Sequence, residues 1–335
     1  MIHRTDPALQ ALSWQRQLAD AISDPAELLR YLEIDKHLLP ATAASQQKFS
    51  LRVPRWFAGR MEKGNPNDPL LRQVLPLQEE SISKAGFVLD PVSDLTQSPV
   101  PGLLHKYRGR ALLIATGACG INCRYCFRRH YPYADATAGR EGLSAAVAYL
   151  EQAADISEVI LSGGDPLMLP DHRLAELTYR LEAIPHIRRL RIHTRLPVVL
   201  PDRVTPELID LLAATRMQPI VVLHANHSRE LCHEHRLTIA PLRESGVTLL
   251  NQSVLLKGVN DDARILCELS EKLFSLGVLP YYLHQLDRVA GAAHFEVTDA
   301  VALDLHRKMR ASLPGYLVPR LVREEAGAAS KIPLG

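Results

Sequence analysis

The chain has no run of about 18 apolar residues, the length a membrane-spanning helix needs, and its N-terminus lacks the apolar core of a signal peptide. Both absences predict a cytoplasmic protein. Net charge is also scarce: a formal +2 leaves no surplus for gripping a polyanion, so neither nucleic acid nor a membrane surface is an expected partner. The basic stretch from Arg188 to Arg195 alternates with apolar residues and reads as a strand with its flank. Cysteine is rare, five in 335 residues, and an odd number with three in one short segment is no disulfide framework.

Those three cysteines are the most informative residues present. Cys119-Gly-Ile-Asn-Cys123-Arg-Tyr-Cys126 supplies three thiolates, one fewer than a structural zinc or an electron-carrying iron-sulfur cluster needs. Three thiolates around a [4Fe-4S] cube leave one iron open to a further ligand. The C-x3-C-x2-C spacing, with aromatic Tyr125 just before the last cysteine, resembles the cluster loop of radical S-adenosylmethionine (SAM) enzymes. The alternatives are a zinc knuckle completed by Cys232, Cys267 or a histidine, with His233/His235 the only other short-spaced pair, and a non-catalytic iron-sulfur module.

Around this loop the chain changes texture. Residues 6 to 33 read as helices, with Ala8, Leu9, Leu12, Leu18 and Ile22 near helical spacing and Ser23-Asp24-Pro25 opening a second helix over Ala26 to Leu32. Prolines and polar turns then recur to Leu104, giving a mainly helical accessory region over 1–104 wrapped on a larger unit. After Lys106, short apolar strands are predicted at Ala111 to Thr116, Glu158 to Ser162, Arg189 to Thr194, Pro219 to His224, Thr248 to Val254 and Leu279 to His284. Amphipathic helices are predicted at Leu143 to Ala154, His172 to Ile184, Pro206 to Ala214, Ser228 to Ser245 and Asp262 to Leu276. This alternation predicts an α/β core over 105–335, an open (β/α)6 partial TIM barrel, with a further strand possible over Tyr316 to Val322.

In such barrels, reactive groups gather at the carboxyl ends of the strands. The cysteine loop follows the first strand, and Ser162-Gly163-Gly164-Asp165 ends the second. His193-Thr194-Arg195, His224-Ala-Asn226-His227, Asn251-Gln252-Ser253 and Tyr282-Leu-His284-Gln-Leu-Asp287 end the others. Gly163 and Gly164 would let backbone approach a ligand closely.

The combination of His105-Lys-Tyr107-Arg-Gly-Arg110, the loop from Cys119 to Arg128, Ser162-Gly-Gly-Asp165-Pro-Leu, Arg195-Leu-Pro-Val-Val-Leu-Pro201, Asn251 to Asp261 and Gly291-Ala-Ala-His294-Phe295 resembles the lysine 2,3-aminomutases, over about Arg52 to Leu334. Within that family it is most similar to the short branch that matures elongation factor P. The resemblance implies three cofactors: a [4Fe-4S] cluster, SAM and pyridoxal 5'-phosphate (PLP). It implies migration of the α-amino group of (S)-lysine to the β-carbon, giving (R)-β-lysine for a partner ligase, with electrons from a reductase or flavodoxin-type donor.

The resemblance also implies roles by position. Lys331, in Gly327-Ala-Ala-Ser-Lys331-Ile-Pro333, matches the lysine that carries PLP, although a lysine so near a chain end ordinarily belongs to a solvated tail. Arg128 matches the arginine that pairs with the substrate carboxylate, while Asp287 and Glu324 match two aspartates that receive the ε-ammonium. Tyr107 and Arg110 match the PLP pocket. Tyr125, Ser162, Gly163, Gly164, Asp165, His224 and Gln252 match the SAM side. Glu324 is a departure that keeps the charge and changes its reach. A glutamate 2,3-aminomutase is the close alternative and would present a cation in place of Asp287 and Glu324. Longer members add a C-terminal zinc-binding extension, for which no counterpart is expected here. Cys232 and Cys267 read as small packing residues.

Overall fold

The computed structural model describes residues 13–37, 45–46, 49–136 and 140–335. Nine strands form one sheet in the order β1 to β9: Leu103–Tyr107, Arg110–Thr116, Glu158–Gly163, Arg189–Thr194, Gln218–His224, Thr248–Val254, Leu279–His284, Arg320–Arg323 and Ile332–Pro333. Strands β2 to β8 are parallel, and the edge strands β1 and β9 turn back antiparallel. The sheet is therefore an open partial barrel, as the alternation predicts.

The six crossovers each carry a helix: Arg140–Gln152, Asp171–Glu182, Pro206–Ala214, His233–Glu244, Ala263–Ser275 and Asp299–Ser312. Their limits follow local chemistry. Thr205 accepts from Leu208 N with Pro206 at the first helical position, and Asp262 accepts from Arg264 N at 2.8 Å. In Asp171–Glu182 the buried residues Leu174, Leu177, Thr178 and Leu181 make one stripe against the sheet. β3, packed on both faces, is a continuous apolar run in which Val159, Ile160 and Leu161 are all buried.

Two expectations need correction. The helix expected over Ser228 to Ser245 begins only at His233. Residues 228–230 form a separate 3-10 turn, and Cys232 is extended, its N–H donating to His235 Nδ1 at 3.0 Å. The strand expected over Tyr316 to Val322 is Arg320–Arg323, because Pro314 and Gly315 start a tight turn that holds Tyr316 outside the sheet. The crossover Asp299–Ser312 and the strands β1 and β9 have no counterpart in the sequence reading.

Ala8, Leu9 and Leu12 lie outside the described residues, but Trp14–Ala19 and Pro25–Tyr31 are helices, the second capped by Asp24. Most of 49–102 is turns and four-residue helical segments. The boundary between 104 and 105 falls inside β1, and a single buried cluster joins Leu18, Phe57 and Leu71 to Leu196, Leu223 and Leu249 of the barrel. The N-terminal region also props the cysteine loop from behind. Arg124 N donates to Gln73 O and Asn122 N to Arg52 O, while the buried guanidinium of Arg124 grips Glu80 through two bonds of 2.7 and 2.5 Å. Among the described residues no helix is long and apolar enough to cross a membrane.

Candidate active site

One cavity of about 330 Å³ runs through the open barrel. Cys119, Cys123 and Cys126 line its upper end, at the carboxyl side of β2. Among the described residues no three His, Cys, Asp or Glu side chains converge as the ligands of a single metal ion. The three thiols share one wall of the cavity, three sulfur donors of the kind an iron-sulfur cluster takes. Burial pushes the Cys119 thiol well above its ordinary range and Cys126 up to about 11, with neighbouring thiols adding to both. Buried thiols of this kind become stable thiolates when a metal takes the sulfur. Neither Cys232 nor Cys267 lines the cavity: Cys232 Sγ lies 3.2 Å from His235 Nδ1, and Cys267 packs against the cluster containing Leu266 and Leu305.

Arg195, read from sequence only as the end of a strand, is the central brace of this wall. Its Nη1 donates to Cys123 Sγ at 2.7 Å and to Tyr125 Oη at 2.6 Å, and its Nη2 donates to Gln73 at 2.8 Å and Glu230 at 2.9 Å. Tyr125 Oη also meets His224 Nε2 at 2.8 Å and receives Asn226 Nδ2 at 2.7 Å. Burial and the nearby Arg195 charge hold His224 at about 3, so it is a neutral ring in this network. The rings of Tyr125 and His224 stack, and Gln252, paired with His224 across β5 and β6, lines the same wall.

The glycine pair has a cause different from the one expected. A Cβ on Gly164 would collide with the Ala118 carbonyl oxygen, and one on Gly163, at φ +117°, would lie 2.5 Å from Thr116 O. Two protein backbones meet here: Gly164 N donates to Thr116 O at 2.7 Å and Asp165 N to Ala118 O at 2.8 Å, tying β3 to the root of the cysteine loop. Asp165 is likewise occupied. Its carboxylate accepts from Thr194 Oγ1, Leu167 N, Arg195 N and Leu196 N, so it locks the end of β4 and has no capacity left for a ligand. Gly164→Ala is expected to reduce iron content after anaerobic reconstitution at least about threefold while the chain still folds, as iron analysis beside circular dichroism would show.

Further down the cavity lies a row of charges. Arg128 Nε donates to Asp94 Oδ2 at 2.6 Å and Nη1 to Ser162 Oγ at 3.2 Å, and among the described residues Nη2 has no hydrogen-bond partner. Glu324 pairs with Lys331 and, at 3.3 Å, with Lys106. Burial acts to raise Glu324, yet Lys331 and Lys106 outweigh it and hold the carboxyl at about 2. Asp287 lies in the same wall without a hydrogen bond or ion pair to its carboxylate among the described residues. Burial, reinforced by Glu324, pushes it up to about 7. At the amino end of β2, Arg110 stacks over Tyr107 at 4.5 Å. Asp94 and Arg195 are the residues sequence reasoning missed. Asp94 lies in a turn-rich segment without a motif, whereas Arg195 follows His193-Thr194 at a strand end, where it was legible as part of the mouth.

The model of the radical SAM superfamily matches residues 113–268, the segment holding the cysteine loop and β2 to β6. L-lysine 2,3-aminomutase of Escherichia coli (strain K12) is 52% identical over 322 residues, spanning 96% of this chain and 94% of that protein. The chain belongs to the lysine 2,3-aminomutase family. L-lysine 2,3-aminomutase of Haemophilus influenzae is 49% identical over 95% of the chain and 94% of its own length, and that of Clostridium subterminale 34% over 96% and 77%. This family member is therefore a radical SAM enzyme of the aminomutase class, and its cofactors include a [4Fe-4S] cluster and SAM.

Proposed function

We propose that this family member moves the α-amino group of (S)-lysine to the β-carbon, giving (R)-β-lysine, with PLP as third cofactor. The observation carrying the choice of lysine is Asp287. A half-buried carboxylate with no hydrogen bond or ion pair among the described residues, on the wall of a cavity that Arg128 also lines, is a receptor for the side-chain ammonium of an amino acid whose carboxylate Arg128 would meet. A distal carboxylate, as in glutamate, would meet like charge there.

Each role falls to a residue of this chain. Cys119, Cys123 and Cys126 would hold the cluster, and Ser162, Gly163, Gly164, Tyr125, His224 and Gln252, on the same cavity wall, would face SAM. When bound there, the cluster and SAM would supply radical chemistry. Lys331 would hold PLP, whose chemistry when bound would be to conjugate the substrate nitrogen. The fit of PLP rests on the charges of the lower cavity. Arg191 and Arg110 both line the lower cavity; Arg191 is paired with Glu158, burial and the nearby Arg110 lower its guanidinium, and a phosphate there would add a second counter-charge. His193 Nε2, buried on the same wall without a hydrogen-bond partner among the described residues, is a further group that a bound molecule would satisfy. Asp94 and Ser162 fix the plane of Arg128 so that its remaining nitrogen can meet the substrate carboxylate.

The chain is read as an accessory region over 1–104 and a core over 105–335, in the cytoplasm, taking electrons from a reductase or flavodoxin-type donor. Its product would pass to a ligase acting on elongation factor P. Reconstituted protein incubated anaerobically with reductant, SAM, PLP and labelled amino acids is expected to yield β-lysine. Formation of β-glutamate alone would overturn the choice of substrate.

A further inference from the structure

We propose that Lys106 is a specificity-determining residue that withdraws Glu324 from the ammonium end of the substrate site and leaves Asp287 to receive that charge alone. The inference rests on the lysine reading above. Lys106 lies on β1, with its side chain only 14% exposed. Its Nζ forms an ion pair with Asp94 Oδ1 at 2.5 Å and donates to Glu324 Oε1 at 3.3 Å and to Val92 O at 2.7 Å. Glu324 in turn has one oxygen on Lys106 and the other on Lys331.

Charges therefore alternate along the cavity: Arg128, Asp94, Lys106, Glu324, Lys331. Asp287 stands beside this row and outside it. When the Lys331 amine is occupied by PLP, Lys106 remains as the counter-ion of Glu324. A carboxylate so paired attracts a second cation weakly, and Lys106 itself repels an incoming ammonium. Glu324 thus offers a substrate less than its formal charge promises, and free lysine is held by one carboxylate.

The test is equilibrium dialysis of labelled lysine against protein carrying cluster and PLP, without SAM. Norleucine, which has the same carbon chain and no ammonium, is the control ligand. Lys106→Met is expected to tighten lysine binding about fivefold and to leave norleucine unchanged. Lys106→Gln keeps a polar head of similar reach and is expected to do the same if the Met variant folds poorly. In a Glu324→Gln background the gain from Lys106→Met should vanish, because the carboxylate it releases is gone. Unchanged or weaker lysine binding in whichever Lys106 variant retains the wild-type melting temperature would overturn the inference. Asp287→Asn separates the two readings: if it leaves lysine binding intact, the assignment of the lysine site itself fails.

Discussion

Asp287→Asn is expected to weaken lysine binding by at least about tenfold and, at the same time, to raise the melting temperature of the ligand-free protein above pH 7. Both effects come from one cause. The carboxyl is raised by burial from its ordinary 3.8 to about 7, so the folded chain holds this proton more tightly than the unfolded chain does. Between these two values the folded state binds more protons, and stability falls as pH rises. Above about 7 the charge is present in both states and its full burial cost is borne by the fold. Asparagine removes that cost. Its stabilising effect should therefore be small at the acid end of this window, grow as pH rises, and level off above it. Lysine binding by the unaltered protein should follow the opposite sign, strengthening with pH as Asp287 ionises, while the asparagine variant stays flat over that range. Calorimetric melting and equilibrium dialysis at pH 5.5 to 8.5 check both. An asparagine variant with no gain in stability at pH 8 would mean that Asp287 has a partner there.

Removing residues 332–335 is expected to cost at least about tenfold in pyridoxyl label trapped on Lys331 by borohydride, although Lys331 itself remains in the chain. Lys331→Ala should abolish that label. The physical reason lies in β9. Val322 is paired with Pro333 and Arg323 with Ile332, so the same register sets Glu324 opposite Lys331, which is why the two side chains pair. Gly327, at φ +80°, lets the intervening segment turn, and Leu334 N returns to Leu321 O at 3.0 Å. Leu334 also packs against the cluster containing Leu321 and Met309. Without these contacts nothing sets the register of Lys331 on the sheet, and its amine becomes that of a flexible tail. Mass spectrometry of the reduced, digested protein reads the label; an undiminished label in the truncated chain would show that Lys331 reaches its place unaided.

Much of this protein was legible before folding, for identifiable reasons. The parallel strands, rich in Leu, Ile or Val, are buried either in a continuous run, as in β3, or at every second position, as in β4 and β6, so β4, β6 and β7 were read to the residue and β2, β3 and β5 to within one. The cysteine spacing is local, and its chemistry follows from the count of thiolates. The residues ending β2 to β7 could be assigned to one mouth because parallel topology sends all those ends the same way. Other features were hidden because they depend on partners distant in sequence. The glycine pair, expected to admit a ligand, also admits the backbone of residues 116–118. Asp165 was expected to bind a cofactor, yet four donors of the chain itself saturate it.

By itself, then, the order of residues determined an alternating α/β core, a three-thiolate loop at the head of its first parallel strand, and the residue types that line its mouth. Only the tertiary structure decided which of those residues are already bound to one another. It brought Gln73, Glu80 and Asp94 from the turn-rich N-terminal region to Arg195, Arg124 and Arg128, and it folded the last residues back as β9 to carry Lys331 into the cavity. Hydrophobic periodicity repeats over a few residues and can be read along the chain. The pairing of a charge depends on which other charge the finished fold leaves within about 4 Å, and no local pattern specifies that.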